Sequence, residues 1–332
     1  MTPSERFFDP SHAFDHPVTV VVTVGAVAML AGGALFVAAL ARAGKLSDAL
    51  RRDLTDRIRT WAFLVPAMLG PILLGAGWVI VATCALAIVS YREFARATGL
   101  FRERLTSLVV VLGILLTTFA VLDHWYAFFV ALWPLTTSLI AIVGIVGDRP
   151  KGYLQRTALA IFGYMLFGAG LGHLSYFGND GRFRPILCWL VAGVALNDVF
   201  PYVVGKTLGR HKLAPLTSPN KTIEGALGAL VLTTAFVSIL GHFVFVGTAV
   251  DQPIHLIALG VIVSVCGQLG DLMLSSIKRD VGVKDMGTAL PGHGGFFDRF
   301  TSFLLVAPAV FHYLSYFIGI GLDGPTRIIT GP

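Results

Sequence analysis

Apolar runs about twenty residues long recur along this chain from Pro17 almost to its end, separated by short polar breaks, and that is the length a helix needs to cross a bilayer. Windows of about 19 residues place spans near 17–41, 61–75, 76–91, 106–122, 125–146, 157–177, 185–204, 225–249, 254–275 and 300–321. Between Trp61 and Tyr91 the apolar stretch is broken by Pro66, Gly70, Pro71, Gly75 and Gly77, which favours two short spans over one long one. The expectation is an all-α polytopic membrane protein of about ten transmembrane helices. Only 13% of the 332 residues are charged, about half the share usual in soluble domains. Satisfying every backbone group inside lipid then leaves helices as the structure available to such runs.

Lys and Arg gather after alternate spans. Arg42, Lys45, Arg51, Arg52, Arg57 and Arg59 follow the first, Arg92, Arg96, Arg102 and Arg104 the third, and Arg149, Lys151 and Arg156 the fifth. Lys206 to Lys221 and Lys278 to Arg299 fall on the same side by parity; the loop with Arg182 and Arg184 is the exception. By the positive-inside rule these loops are cytoplasmic and both termini lie outside. The net charge of +6 is dispersed among these loops, so no nucleic-acid partner is expected. Three regions follow: 1–60, with a first span and a basic linker; 61–180, with further spans; and 181–332, which holds the polar motifs. Ser47 to Thr60 sets Leu50, Leu54 and Ile58 on one face and reads either as an interfacial amphipathic helix or as a solvated loop. Met1 to His16 lacks the basic start of a cleaved signal peptide. Cys84, Cys188 and Cys266 sit inside apolar runs with no ligand-spaced neighbours, so neither zinc nor a disulfide framework is expected.

The densest polar stretch runs from Gly270 to Thr301. Asp271, Ser275 and Lys278 share a helical face at the end of the ninth span, Arg279, Lys284 and Asp285 follow, and Pro291-Gly292-His293-Gly294-Gly295 leads into Asp298 and Arg299. Phosphoryl or nucleotidyl transfer needs hard oxygen ligands for a divalent cation, cations for the phosphates, and closely approaching N–H groups. Asp271 and Asp298 suit the first need, Lys278, Arg279, Lys284 and Arg299 the second, and the glycine-rich turn with Gly294 and Gly295 the third. For His293, bracing the turn and contacting pyrophosphate stay equally open. Phe296, Phe297 and Phe300 read as packing residues rather than as a stack for a base.

The pattern Ser275-x-Ile277-Lys278-Arg279, Lys284-Asp285, Pro291-x-His293-Gly294-Gly295-x-x-Asp298-Arg299 resembles the signature of the phosphatidate cytidylyltransferase (CDP-diacylglycerol synthase) family. Asn197-Asp198 and Ser218-Pro219-Asn220-Lys221-Thr222-Ile223-Glu224-Gly225 are similar to two further family elements, with Asn220 where Lys is usual, and Tyr91-Arg92-Glu93-Phe94 is a weaker third echo. The resemblance spans roughly residues 60 to 320 and departs from the family at Thr301, where an Asp usually stands. It implies that a phosphatidate oxygen attacks the α-phosphate of CTP, giving CDP-diacylglycerol and pyrophosphate. It also implies a Mg²⁺ or similar hard cation on Asp271 and Asp298, with Asp198 as a third carboxylate, and Ser218 and Lys221 as phosphate donors. Glu224 reads either as a helix cap or as a site residue.

The expected partners are therefore CTP, phosphatidate or another lipid phosphate, and membrane lipid, with a homodimer left open. The site is expected in a polar cavity facing the cytoplasm from the plasma membrane. Three rivals remain on sequence grounds: activation of an isoprenoid or ether-lipid phosphate, a non-catalytic homologue with Thr301 as its mark, and a transporter. The last would scatter polar residues along several midplanes, whereas here they cluster at the ends of the seventh, ninth and tenth spans.

Overall fold

The computed structural model describes residues 7–290, 294–322 and 327–331. Among them are ten helices long and apolar enough to cross a membrane: α1 (Pro17–Arg42), α2 (Asp48–Leu74), α3 (Ala76–Thr98), α4 (Arg104–Leu122), α5 (Tyr126–Val143), α6 (Tyr153–Asn179), α7 (Phe183–Leu208), α8 (Ile223–Phe245), α9 (Pro253–Asp280) and α10 (Phe297–Ile318). The expected count holds, and the fold is nearly all helical. One element was not expected. Lys212–Ala214 (β1) and Ser218–Thr222 (β2) pair antiparallel between α7 and α8.

α2 also differs from the expectation. Ser47 caps it by accepting from the Leu50 N–H at 3.3 Å, and it then runs unbroken through the basic segment into the apolar one. Residues 47–60 are thus neither a separate interfacial helix nor a loop. Their charges are carried on the helix surface, where Arg57 reaches Asp53 one turn back at 3.0 Å. The break comes at Gly75, whose φ of 134° suits glycine, and where a side chain would strike the Phe7 carbonyl.

Small residues set the crossings of α7 to α10. A Cβ on Gly260 would sit 2.6 Å from the Thr234 Cα, and one on Gly270 would sit 2.8 Å from the Thr301 carbonyl oxygen. Inside this group Asn197 accepts from the Thr233 hydroxyl at 3.0 Å and donates to the Ser264 carbonyl at 3.5 Å, so α7 is stitched to both α8 and α9. α6 contains a π-helical turn at Met165–Gly170, and Gly170 lets it approach Leu304 of α10. Cys84, Cys188 and Cys266 are free.

The basic loops collect at one end, as parity required. Glu103, after α3, binds Arg149 at 2.8 Å and Arg156 at 3.7 Å, both after α5. The exceptional Arg184 lies at the opposite end. It is buried, with its guanidinium over the Phe183 ring and donating to the Asp9 carbonyl. Its charge is therefore spent on holding the N-terminal segment. At that same end Asp123 accepts from the N–H groups of Ile329 and Thr330 and from the Thr330 hydroxyl. Burial pushes the Asp123 carboxyl up, but those hydrogen bonds and the Arg327 charge outweigh it and hold the group below the ordinary carboxylate range.

Candidate active site

The β1–β2 hairpin carries Ser218 and Lys221, and it is fixed to α8 at two points. The Thr222 hydroxyl caps α8 by accepting from the Gly225 N–H at 3.1 Å. Glu224 reaches backwards and accepts from the N–H of Arg210 at 3.0 Å and from the N–H and ring of His211. The cap is thus Thr222, and Glu224 clasps the chain entering the hairpin. Close packing completes the seat, since a Cβ on Gly225 would lie 2.7 Å from the Pro201 carbonyl oxygen.

So held, Lys221 forms an ion pair with Asp271 of α9, and Arg279 donates to the Thr217 carbonyl at 3.3 Å. The two motif-bearing loops therefore meet. Asp198, one residue beyond the stitched Asn197, accepts from the Ser302 hydroxyl of α10 at 3.1 Å. Lys221, Asp271 and Arg299 lie within electrostatic reach of it.

Asp298 is engaged on every side. Its side chain is 1% exposed, and Oδ1 accepts from the Lys278 ammonium at 3.0 Å. Oδ2 accepts from the N–H groups of Met286 and Gly295, each at 2.9 Å. Glu93 of α3 does the same one step further on, accepting from the N–H groups of Phe296 at 3.1 Å and Phe297 at 2.8 Å. These two carboxylates explain the glycines. A Cβ on Gly287 or Gly295 would run into the Glu93 carboxylate, and one on Gly294, whose φ is 80°, would meet Asp298 Oδ2 at 2.8 Å.

This changes the reading of the turn. The N–H of Gly295, in the turn expected to face a phosphate, is already donated to Asp298, and those of Phe296 and Phe297 just after it to Glu93, so this described part of the turn is clasped by carboxylates. Pro291, Gly292 and His293 lie outside the described residues, so the two readings of His293 stay open. Phe297 is buried against Phe94 and Phe167, in keeping with packing.

Thr301 is 2% exposed, and its hydroxyl donates to the Phe297 carbonyl of its own helix at 3.2 Å. It sits where α10 presses on Gly270. The residue that departs from the pattern is therefore buried, with its hydroxyl turned to its own helix and its backbone at a helix crossing.

The cluster opens into a cavity of about 1140 Å³ whose lining divides in two. One end carries Asp198, Ser218, Lys221, Asp271, Asp298 and Arg299; the remainder is mostly apolar and includes Met29, Phe36, Leu64, Met68, Phe236 and Leu240. Asp198 is exposed, and the surface it exposes belongs to this cavity. Of the other expected site residues, Ser275 is half-buried on α9, while Lys284 and Asp285 are exposed on the loop. Neither Lys284 nor Asp285 forms an ion pair with the cluster among the described residues. Ser302 and the clasping role of Glu93 were not foreseen.

Among the described residues no group of three or more His, Cys, Asp or Glu side chains stands ready to hold a metal. The carboxylates free to face a cation in the cavity are Asp198 and Asp271, because Asp298 is committed to Lys278 and the loop. Two hard oxygen donors, with a lysine ammonium already drawn between them, suit a divalent cation that takes its remaining ligands from phosphate oxygens and water.

Residues 55–317 match the cytidylyltransferase family. The chain belongs to that family. It is accordingly a nucleotidyltransferase enzyme, and its ten apolar helices make it an integral membrane one. Among its relatives, the Escherichia coli (strain K12) protein YnbB, itself described as uncharacterized, is 30% identical over 272 residues, 80% of this chain and 88% of that one. The phosphatidate cytidylyltransferase of Bacillus subtilis (strain 168) is 31% identical over 278 residues, 80% of this chain and 99% of the relative. That of Staphylococcus haemolyticus (strain JCSC1435) is 41% identical over 141 residues, which are 42% of this chain and 52% of the relative. Of the helices, α1 alone lies wholly outside the matched residues.

Proposed function

We propose that this cytidylyltransferase converts phosphatidate and CTP to CDP-diacylglycerol and pyrophosphate, at the cytoplasmic face of a plasma membrane. The observation that carries the reading is the divided cavity: a charged end sized for phosphates continues into an apolar body suited to hydrocarbon tails. The names of the Bacillus and Staphylococcus relatives favour phosphatidate as the acceptor.

In this reading an ionised phosphatidate oxygen forms a bond to the α-phosphorus of CTP, and the bond to the bridging oxygen of the β-phosphate breaks. No covalent enzyme intermediate is required, so the chain's work is positioning and charge neutralisation. Lys221 and Arg299 neutralise phosphate charge at the cavity floor. Asp198 and Asp271 would hold a Mg²⁺, which when bound would supply charge stabilisation to the phosphates. Asp298 and Lys278 act through the loop they fix, and Ser302 orients Asp198. Arg279, held at the Thr217 carbonyl beside the hairpin, and the exposed Lys284 are in this reading further cations for the triphosphate.

The test is pyrophosphate release by purified protein with CTP and Mg²⁺, offering phosphatidate, an ether-lipid phosphate and a polyprenyl phosphate in turn, with Lys221→Met and Asp271→Asn alongside. The reading expects phosphatidate-dependent release that falls at least about a hundredfold in both variants, the scale of a lost transition-state contact. Release only with another lipid phosphate would replace the acceptor. Release with none of them would remove the reading and leave Thr301 as the mark of a homologue that has abandoned the reaction.

A further inference from the structure

A second, smaller cavity of about 560 Å³ lies between the ends of α1 and α2. Its apolar wall is built by Ala34, Ala38 and Ala41, and its rim carries Arg42, Arg51 and Arg59. All three arginines are exposed. Among the described residues Arg42 and Arg51 have no ion-pair partner, and Arg59 has the exposed Asp56 at 3.4 Å, a pairing of little strength. Val37 and Ile58 line this cavity and the large one alike, so the two adjoin through a pair of branched side chains.

The position matters as much as the composition. Arg42 ends α1 at the same end of the molecule as the motif loops, which is the level of lipid headgroups. Three guanidiniums beside an apolar wall match a phosphate headgroup with its first methylenes, and basic residues at headgroup level draw anionic lipid. The neighbouring cavity continues the same division of charge and hydrocarbon.

We propose that the α1–α2 cavity is the entrance for the lipid substrate: Arg42, Arg51 and Arg59 capture the headgroup of a long-chain lipid phosphate from the bilayer, and it passes between Val37 and Ile58 to Lys221 and Arg299. This rests on the lipid-phosphate reading of the main site and adds its route of supply. It also gives α1 a task in this chain, although α1 lies outside the residues that match the family. The tail need never leave hydrocarbon on this path, because both cavities open beside α1, whose face is apolar throughout.

The experiment compares the full-length wild type with Arg42→Gln/Arg51→Gln/Arg59→Gln, and separately with Val37→Trp/Ile58→Trp, in nanodiscs and in detergent. Pyrophosphate release is measured with long-chain phosphatidate in the disc and with a short-chain, water-soluble phosphatidate. The arginine variant is expected to lose at least about tenfold in kcat/KM for the long-chain lipid, with the KM for CTP unchanged and turnover of the soluble lipid kept. The tryptophan variant, whose residues also line the main cavity, is expected to lose at least as much with the long-chain lipid. In parallel, native mass spectrometry should find fewer long-chain phosphatidate molecules retained by the arginine variant than by wild type. Equal losses with both lipids in the arginine variant, or unchanged kcat/KM and retention, would overturn the entrance. If wild type releases no pyrophosphate with any lipid phosphate, the functional reading has failed, and the retention comparison still decides whether this cavity binds the lipid.

Discussion

Carboxylates wholly or half withdrawn from the surface clasp distant backbone at both ends of the molecule, but to different effect. At the motif end Glu93 and Asp298 take the N–H groups of Met286, Gly295, Phe296 and Phe297; at the other end Asp123 takes those of Ile329 and Thr330. Of the first pair, Asp298 lines the large cavity and shares its charge with Lys278. Asp123 is not part of that lining and secures residues 329 and 330. The same hydrogen-bonding device thus serves placement of a reactive end in one case and closure of the fold in the other. Sequence composition alone would not separate them, because each is a single acid at a helix end.

The largest break in this comparison should come from Asp298→Asn. It removes the charge that balances Lys278, whose side chain is 17% exposed, and breaking a buried pair costs about 3 kcal/mol or more. Turnover should fall about a thousandfold, and thermal unfolding in detergent should occur at a lower temperature. Unaltered turnover would show that the loop's placement is irrelevant to the chemistry. Glu93→Ala comes next. It leaves two N–H groups without their acceptor and opens space beside Gly287 and Gly295, so turnover should drop about a hundredfold. The KM for the lipid should hold, because α3 contributes nothing to the cavity lining. A change confined to KM would place Glu93 at the substrate instead.

The smallest effect belongs to the other end. Asp123→Asn should leave turnover at neutral pH unchanged. The folded carboxyl titrates below its unfolded value, so it stabilises the protein above about pH 4 and that contribution is lost as pH falls through the folded value. Melting temperature in the wild type should therefore decline more steeply on acidification than in Asp123→Asn. Parallel curves would mean that Asp123 is protonated, or unclasped, at neutral pH.

Hydropathy made the ten spans legible because each run had to satisfy its own backbone within lipid. Loop parity likewise forecast which loops would meet. What stayed hidden was hidden for physical reasons. The charges of 48–59 masked the start of α2, since a window average cannot tell charges carried on a helix surface from a loop. The Ser218–Thr222 strand has a polar, Pro-containing sequence without alternation, and its shape comes from Thr222 and from Glu224 gripping residues 210 and 211. Glu93 and the N–H groups it holds are separated by more than 200 residues, and nothing local announces such a pairing. Asp298 could be singled out from the sequence, whereas its commitment to the loop could not.

Asn197 bears on a problem peculiar to helices in lipid. A helix with apolar residues all round can roll about its axis at little cost, because hydrocarbon on one face is as good a solvent as hydrocarbon on another. One residue of roll is about 100°, enough to swing Asp198 from the cavity into a neighbouring helix. By gripping α8 through Thr233 and α9 through Ser264, Asn197 acts as a rotational key. It fixes the azimuth of α7 in a medium that would leave it free to spin, and it aims the next residue at the floor of the cavity.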